Sequence, residues 1–173
     1  MKLVRRRAAD LFDTELGIET AKEVPLWGLE IPSENVKFGA RYSTVEPPVF
    51  LRVVDRVSIN RQAYNFVDLG CGKGRALVLA ARMGFARVVG VEFSPELCTI
   101  ARKNLTCAGA GADVVEGDAS RYEFPDANLL IYMYNPFAEP VLDSVCDNLI
   151  HWRRKHAKEG YIAYLNPRHS ACF

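Results

Sequence analysis

Apolar residues in this chain fall into five short, nearly continuous runs separated by more polar segments. Runs of this length with few internal charges are typical of strands buried on both faces of a parallel sheet. They lie at residues 64–69, 86–92, 112–116, 129–134 and 161–165. The segments between them predict helices at residues 75–83, 95–107 and 139–158, and a short turn near Ser120. This alternation of strand and helix predicts an α/β fold with a doubly wound, mainly parallel sheet.

The first sixty residues have a different pattern, and we interpret residues 1–60 as an N-terminal extension packed on a core formed by residues 61–173. Prolines and a glycine between residues 23 and 33 exclude a long helix there. Pro47 and Pro48 begin a segment whose apolar residues recur at helical spacing. Residues 38–43, which include Arg41 and Tyr42, are either part of a lid over a ligand or ordinary surface packing.

Composition describes an ordinary globular domain, with 49% hydrophobic and 25% charged residues. A formal net charge of +1 gives no indication of a nucleic-acid partner. The longest apolar run, at residues 129–134, is too short to cross a membrane. Five cysteines without a Cys-x-x-Cys pair favour reduced thiols in a cytoplasmic protein, and no metal site is expected.

A glycine-rich loop follows the first predicted strand and precedes the first predicted helix of the core. Gly70, Gly72 and Gly74 alternate with other residues, and Asp68 lies two positions before the first of them. Glycine adopts backbone angles that other residues avoid and leaves no side chain between the main chain and a ligand. Nucleotide-like ligands bind at such loops in open α/β sheets.

The residues around the loop argue against two common nucleotide sites. A dinucleotide fingerprint that begins at Gly70 requires glycine at position 75, where this chain has Arg75. No Gly-Lys-Ser/Thr sequence is present, which excludes a phosphate loop of the Walker type. Asp68 would repel a pyrophosphate, whereas it suits a ligand that carries an ammonium or a sulfonium group.

Two further acidic residues end the next two predicted strands. Glu92 follows Gly70 by 22 positions, which suits an acid that accepts hydrogen bonds from a ribose diol. Asp118 comes after the third strand in a Gly-Asp pair. Each acid has a simpler alternative, because Glu92 lies beside the Ser94-Pro95 helix start and Asp118 precedes a turn that it can cap.

These residues resemble the motifs of class I, Rossmann-like S-adenosylmethionine-dependent methyltransferases. The resemblance implies an enzyme that binds S-adenosylmethionine and releases S-adenosylhomocysteine. It implies that Glu92 binds the ribose, Phe93 packs on the adenine, Asp118 binds the adenine amino group and the Ala119 amide binds a ring nitrogen. The loop residues assigned to the cofactor are Asp68, Gly70, Cys71, Gly72 and Gly74. In this family, extensions such as residues 1–60 cover the cofactor.

The fourth predicted strand ends in Asn135-Pro136-Phe137. This sequence resembles the Asn-Pro-Pro-Tyr/Phe motif of methyltransferases that act on amino and amide nitrogens. The resemblance assigns all three residues to the acceptor site, and Asn135 to the cofactor site as well. One of the two prolines is missing, so a strand-ending turn is the alternative role.

The resemblance also implies a helix and a two-strand hairpin after the fifth strand, for which too few residues remain. We therefore expect the sheet to lack this hairpin and to end in an open edge, which favours a homodimer. Two functional hypotheses follow. The first is a methyltransferase with an unidentified acceptor; the alternative is a non-catalytic cofactor-binding or regulatory module with the same fold. An NAD-linked oxidoreductase is disfavoured by Arg75 and Asp68.

Overall fold

The computed structural model describes residues 11–169. The first helix, α1, is described over residues 11–16. The later helices are α2 Pro47–Asp55, α3 Arg75–Ala81, α4 Pro95–Cys107 and α5 Glu139–Lys155. The strands are β1 Tyr64–Leu69, β2 Arg87–Glu92, β3 Asp113–Glu116, β4 Asn128–Tyr134 and β5 Gly160–Leu165. A single 3-10 turn at Ala119–Arg121 follows β3.

The five strands form one parallel sheet in the order β3-β2-β1-β4-β5. The chain starts at β1 in the centre, builds outward to β3, and then returns to place β4 on the other side of β1. In such sheets a crevice opens at the carboxyl ends of the two strands where the direction of building reverses. The predicted fold class is confirmed, and the crevice is located between β1 and β4.

Two hydrophobic clusters cover the two faces of the sheet. Alternate residues of β4 point to opposite faces, so Tyr132 joins one cluster and Ile131 the other. The first cluster includes residues of α2 and α3, and the ring of Phe50 packs edge-on against Tyr132 with centroids 5.2 Å apart. The second is formed largely with α5, where Trp152 is buried. The N-terminal segment is thereby fixed to the face that also carries α3.

Strand boundaries agree with the sequence prediction within one residue, and α4 has the predicted bounds. The other two predicted core helices are shorter than expected, since α3 ends at Ala81 and α5 at Lys155. The prediction that every strand is buried on both faces was wrong. In β3 the side chain of Val115 is 40% exposed, and in β5 Tyr161 and Ile162 are 42% and 40% exposed. These strands lie at the two edges of the sheet, and an apolar run does not indicate whether a strand is central or at an edge.

Three cysteines, Cys71, Cys98 and Cys107, are free thiols. Cys146 forms a disulfide bond, so the expectation of reduced thiols was wrong for this residue. Across residues 11–169, no helix is long and apolar enough to cross a membrane.

Candidate functional site

A cavity of about 690 Å³ opens at the carboxyl ends of β1, β2 and β4. Residues from the N-terminal extension, including Tyr42, form one wall. The sequence-predicted residues that line the cavity are Gly70, Gly72, Glu92, Phe93, Asp118, Ala119, Asn135, Pro136 and Phe137. The parallel topology thus brings most of the predicted site into one crevice.

The three loop glycines all have positive φ angles, of 81° at Gly70, 54° at Gly72 and 84° at Gly74. A Cβ atom added to Gly70 would lie 2.4 Å from Pro136 Cβ, and one on Gly72 would lie 2.2 Å from Tyr42 Cδ2. The sequence interpretation was that missing side chains leave the backbone open to a ligand. At Gly70 and Gly72 the space that a side chain would fill is instead taken by Pro136 and Tyr42.

The carboxylate of Glu92 ties the glycine loop to the end of β2. It accepts hydrogen bonds from the backbone N–H of Gly72 at 2.8 Å and of Ser94 at 3.0 Å. Burial raises the pKa of Glu92, against the effect of hydrogen bonds from backbone N–H groups of Ser94, Gly72 and Phe93. The side chain of Ser94 caps α4, so the helix-start alternative for Glu92 is also observed. Glu92 therefore supports the loop and lines the cavity at once.

The carboxylate of Asp118 accepts four hydrogen bonds. It accepts from Ser33 Oγ at 2.5 Å, Asn35 Nδ2 at 2.9 Å, and the backbone N–H and Oγ of Ser120 at 2.9 and 2.7 Å. Burial acts to raise the pKa of Asp118, but the hydrogen bonds from Ser33, Ser120 and Asn35 together lower it. The capping alternative is observed, because Asp118 caps the 3-10 turn after β3.

Ser33 and Asn35 were missed by the sequence analysis. The signal was present, since Ser33 followed by Glu34 and Asn35 is a typical start of a helical turn, and the Ser33 side chain does cap a 3-10 helix at Glu34–Phe38. Pattern alone does not show that this turn packs on Asp118, which is 85 residues away from Ser33.

Asp68 lies in a second, smaller cavity of about 290 Å³. The two cavities share four wall residues, Tyr42, Ser43, Gly70 and Tyr134. The hydroxyl group of Tyr132, which also lines the second cavity, is buried and has no hydrogen-bond partner among residues 11–169. Burial and then the charge of Glu92 raise the pKa of the Asp68 carboxyl group.

Cys71 and Gly74 lie behind the loop. Cys71 lines the second cavity, its sulfur would lie 2.6 Å from a Cβ added to Gly90, and burial raises the pKa of its thiol. Gly74 is the N-cap of α3 and packs against Ala101 of α4. Neither residue lines the larger cavity, so the structure gives both a supporting position.

Asn135 has a φ of 44° and ends β4, as the turn alternative expects. Its Oδ1 atom is buried and has no hydrogen-bond partner among residues 11–169. The carbonyl of Pro136 accepts from the Ala40 N–H at 2.8 Å, and Phe137 forms an antiparallel bridge with Gly39. The extension therefore holds this loop in place while Asn135, Pro136 and Phe137 line the cavity.

Comparison with known proteins agrees with this geometry. A family model described as a methyltransferase domain matches residues 66–159, which run from β1 into the segment before β5. The chain belongs to this methyltransferase domain family. The class I family expected from the loop and the strand-end acids is confirmed.

Two curated relatives are similar to parts of this methyltransferase domain. A demethylmenaquinone methyltransferase of Thermus thermophilus is 36% identical over 76 residues, which is 43% of this chain and 34% of the relative. A ribosomal protein L11 methyltransferase of Aliivibrio salmonicida is 35% identical over 52 residues, covering 30% of this chain and 18% of the relative. The chain thus aligns with 34% and 18% of the length of these two relatives.

Solved structures share the fold. An RNA methyltransferase from Salinibacter ruber in complex with S-adenosyl-L-homocysteine is 28% identical with a TM-score of 0.51, covering 63% of this chain and 69% of that one. An S-adenosylmethionine-dependent methyltransferase from Clostridium acetobutylicum, at 15% identity, has a TM-score of 0.55 and covers 69% of this chain and 50% of that one. The latter likeness concerns the fold alone.

The burial of Asp68 predicts a pH dependence of stability in the ligand-free protein. A carboxyl group whose folded-state pKa is raised binds more protons in the native state, so its contribution to stability is lost as pH rises through the folded-state value. Asp68→Asn should therefore become more stable relative to the wild type as pH increases. Urea denaturation of both proteins at pH 5 and pH 8 measures the difference.

The control for this experiment is Asp143→Asn, which removes an exposed carboxylate from α5 and makes the same change in net charge. A stability difference between Asp68→Asn and the wild type that does not grow with pH would show that the Asp68 carboxylate is not strained in the native state.

Proposed function

We propose that this domain binds S-adenosylmethionine across the two cavities and catalyses methyl transfer to an acceptor held at Asn135, Pro136 and Phe137. The observation that carries the proposal is the pairing of buried carboxylates, Asp68 and Glu92, at the glycine loop of a methyltransferase-family domain. S-adenosylmethionine supplies an electrophilic methyl group on a sulfonium. The protein's contribution is to bind, orient and exclude water.

The charge of the crevice favours a cationic ligand. Asp68 and Glu92 are 3% and 4% exposed, and neither forms a salt bridge with a residue in the described range 11–169. Two buried carboxylates without a cation destabilise each other and the fold. A ligand with sulfonium and ammonium groups relieves this cost, whereas a pyrophosphate increases it.

Each cavity suits a different part of the cofactor. In the larger one, Glu92 has carboxylate lone pairs for a ribose diol beyond the hydrogen bonds that it accepts from backbone N–H groups, and the apolar wall includes Phe93 and Leu97. In the smaller one, the Asp68 carboxylate and the unpartnered hydroxyl of Tyr132 suit an ammonium group, and the charge of Arg75, which also lines this cavity, is paired with Asp13. The adenine amino group, if Asp118 binds it, replaces one of the four hydrogen bonds that this carboxylate now accepts.

A nitrogen acceptor is supported by the free Oδ1 of Asn135. A buried carbonyl oxygen without a donor is costly, and an N–H of the acceptor satisfies it. Such a hydrogen bond directs the nitrogen lone pair into the cavity, and the ring of Phe137 forms an apolar wall beside it. The Pro136 carbonyl already accepts a hydrogen bond from the Ala40 N–H, so the Asn135 side chain is the better placed group to bind the acceptor nitrogen.

Replacing Glu92 by glutamine should weaken cofactor binding by roughly 1.5 to 3 kcal/mol, the range for losing a hydrogen bond to a charged group. Titration calorimetry with S-adenosylhomocysteine measures the effect. Glu116→Gln is the matched control, because Glu116 pairs with Glu92 in the β2–β3 register but is exposed and lies outside both cavities. Equal affinities for all three proteins would place the cofactor elsewhere.

Asn135→Gly should lower methyl transfer by more than it lowers cofactor affinity. Glycine keeps the positive φ and removes the amide, so the change tests the side chain and not the turn. We expect a loss of about tenfold or more in turnover, as for one hydrogen bond made to the reacting group. Asn166→Gly is the control, since Asn166 follows β5 with a φ of 52° outside both cavities.

The assay is transfer of a labelled methyl group into a cell extract that is separated into protein, nucleic acid and small molecules. By their names, the relatives act on demethylmenaquinone, ribosomal protein L11 and RNA, so all three fractions are relevant. Unchanged transfer in Asn135→Gly would remove Asn135 from the acceptor site. Tight binding of S-adenosylhomocysteine with no transfer into any fraction would establish the alternative, a non-catalytic cofactor-binding module.

A homodimer through β5 remains part of this proposal. Tyr161 and Ile162 on β5 are about as exposed as Val115 on β3, but β3 is shorter and has Asp113 and Glu116 at its ends. Charges and short length protect an edge strand from pairing, so β5 is the less protected edge. An apolar hollow bounded by Leu149, Ile150 and Ile162 adjoins it.

Placing a lysine on this edge should abolish self-association. Sedimentation of the wild type across a range of concentrations should show a dimer, and Ile162→Lys should sediment as a monomer. Val115→Lys places the same charge on the opposite edge and should leave the dimer intact. A wild type that stays monomeric at high concentration would exclude the dimer.

A further inference from the structure

Arg75 occupies the position where a dinucleotide-binding loop has glycine, and the proposed methyl transfer does not use its charge. The residue is at the start of α3, yet it is only 2% exposed. Its Nη2 donates to Asp13 Oδ1 at 2.7 Å and its Nε donates to Thr20 Oγ1 at 2.6 Å. Both partners belong to the N-terminal extension, so the side chain joins the glycine loop to a segment more than fifty residues earlier.

Thr20 is the central residue of this network, and it is fully buried. Its hydroxyl donates to Asp13 Oδ1 at 2.6 Å while accepting from Arg75, and its backbone N–H donates to Asp13 Oδ2 at 2.5 Å. Its carbonyl accepts from the hydroxyl of Tyr42 at 2.7 Å. We call Asp13, Thr20, Tyr42 and Arg75 the Arg75 clamp.

Tyr42 is the point at which the clamp reaches the functional site. Its ring lies against Gly72 and lines both cavities. Its backbone N–H donates to the Val24 carbonyl at 2.9 Å, which fixes the chain on the other side of the ring. The position of this one ring therefore sets the shape of the wall that the two cavities share.

Stability alone does not account for a buried ion pair. The desolvation of two charges offsets most of their attraction, and an apolar replacement of similar volume is often as stable. A hydrogen-bonded ion pair of this kind fixes the relative position of the two segments that carry it, because guanidinium and carboxylate groups donate and accept in fixed directions. In this domain the two segments are the N-terminal extension and the glycine loop that it covers.

We propose that Arg75 is a positioning residue that, through Asp13 and Thr20, holds Tyr42 against Gly72 and so fixes the wall shared by the two cavities. The link to cofactor affinity rests on the proposed function, whereas the link between Arg75, Thr20 and Tyr42 does not. Asp13 and Thr20 line neither cavity, so they act on the site through Tyr42 and through Arg75, which itself lines the smaller cavity.

The test uses Thr20→Val, which keeps the shape of the side chain and removes the hydroxyl, and Thr20→Ser, which restores it. Hydrogen exchange is measured on the ligand-free proteins, at a temperature where circular dichroism shows each to be folded. The amides of Ala40 and Tyr42 are the reporters, since they bond to Pro136 and Val24. Thr20→Val should speed their exchange about tenfold, as expected for the loss of a hydrogen bond to a charged group, and Thr20→Ser should not.

Titration with S-adenosylhomocysteine provides the second readout, with about tenfold weaker binding expected for Thr20→Val and wild-type affinity for Thr20→Ser. Arg87→Gln is the control, because Arg87 makes two hydrogen bonds to Asp113 on the surface and lines neither cavity. Tyr42→Phe, which removes the hydroxyl that donates to the Thr20 carbonyl, should reproduce the faster exchange and replaces Thr20→Val if that variant does not fold.

Unchanged exchange at Ala40 and Tyr42 in folded Thr20→Val, or in Tyr42→Phe, would overturn the clamp as a positioning device. Faster exchange with unchanged affinity for S-adenosylhomocysteine would overturn its connection to the site. If the wild type does not bind S-adenosylhomocysteine, the proposed function fails, and amide exchange still decides whether the clamp positions Tyr42.

Discussion

The close packing of other elements against the glycine loop is the constraint on which the rest of the structure depends. A Cβ added to Gly70 would overlap Pro136 of the β4 loop, one on Gly72 would overlap Tyr42 of the N-terminal extension, and one on Gly74 would lie 3.3 Å from Ala101 of α4. Because none of the three glycines has a Cβ, three separate segments converge on one short turn. The same turn directs the Gly72 N–H to Glu92, so loop, strand end and extension are fixed together.

Parallel topology explains how much of this site the sequence could predict. Polar residues at the carboxyl ends of parallel strands lie at one edge of the sheet, and Glu92, Asp118 and Asn135 do. Asp68 was assigned to the same site but lies in a separate cavity, because the register pairs it with Gly90, two residues before Glu92. Strand length and spacing along the chain do not reveal that offset, which depends on how neighbouring strands are aligned.

Long-range hydrogen bonds set the limit of the sequence analysis. Arg75 was interpreted only as a missing glycine, and Tyr42 as either lid or surface packing. Their hydrogen-bond partners are Asp13 and Thr20, which are separated from Arg75 by 62 and 55 residues. Hydrophobic periodicity does not predict such polar pairs, because Arg75 meets Asp13 and Thr20 only after the extension has folded over the sheet.

The buried charges of this domain fall into two kinds, and the difference bears on function. Arg75 and Lys73 are almost completely buried, and each is paired with a carboxylate of the extension, Asp13 or Glu19. Asp68 and Glu92 are equally buried but have raised pKa values and, among the described residues, no cationic partner. Burial disfavours the ionised form of both carboxyl groups, and the charge of Glu92 adds to this effect at Asp68. Because that arrangement lowers the stability of the ligand-free fold, the compensating cation is expected to come from a ligand and not from the protein.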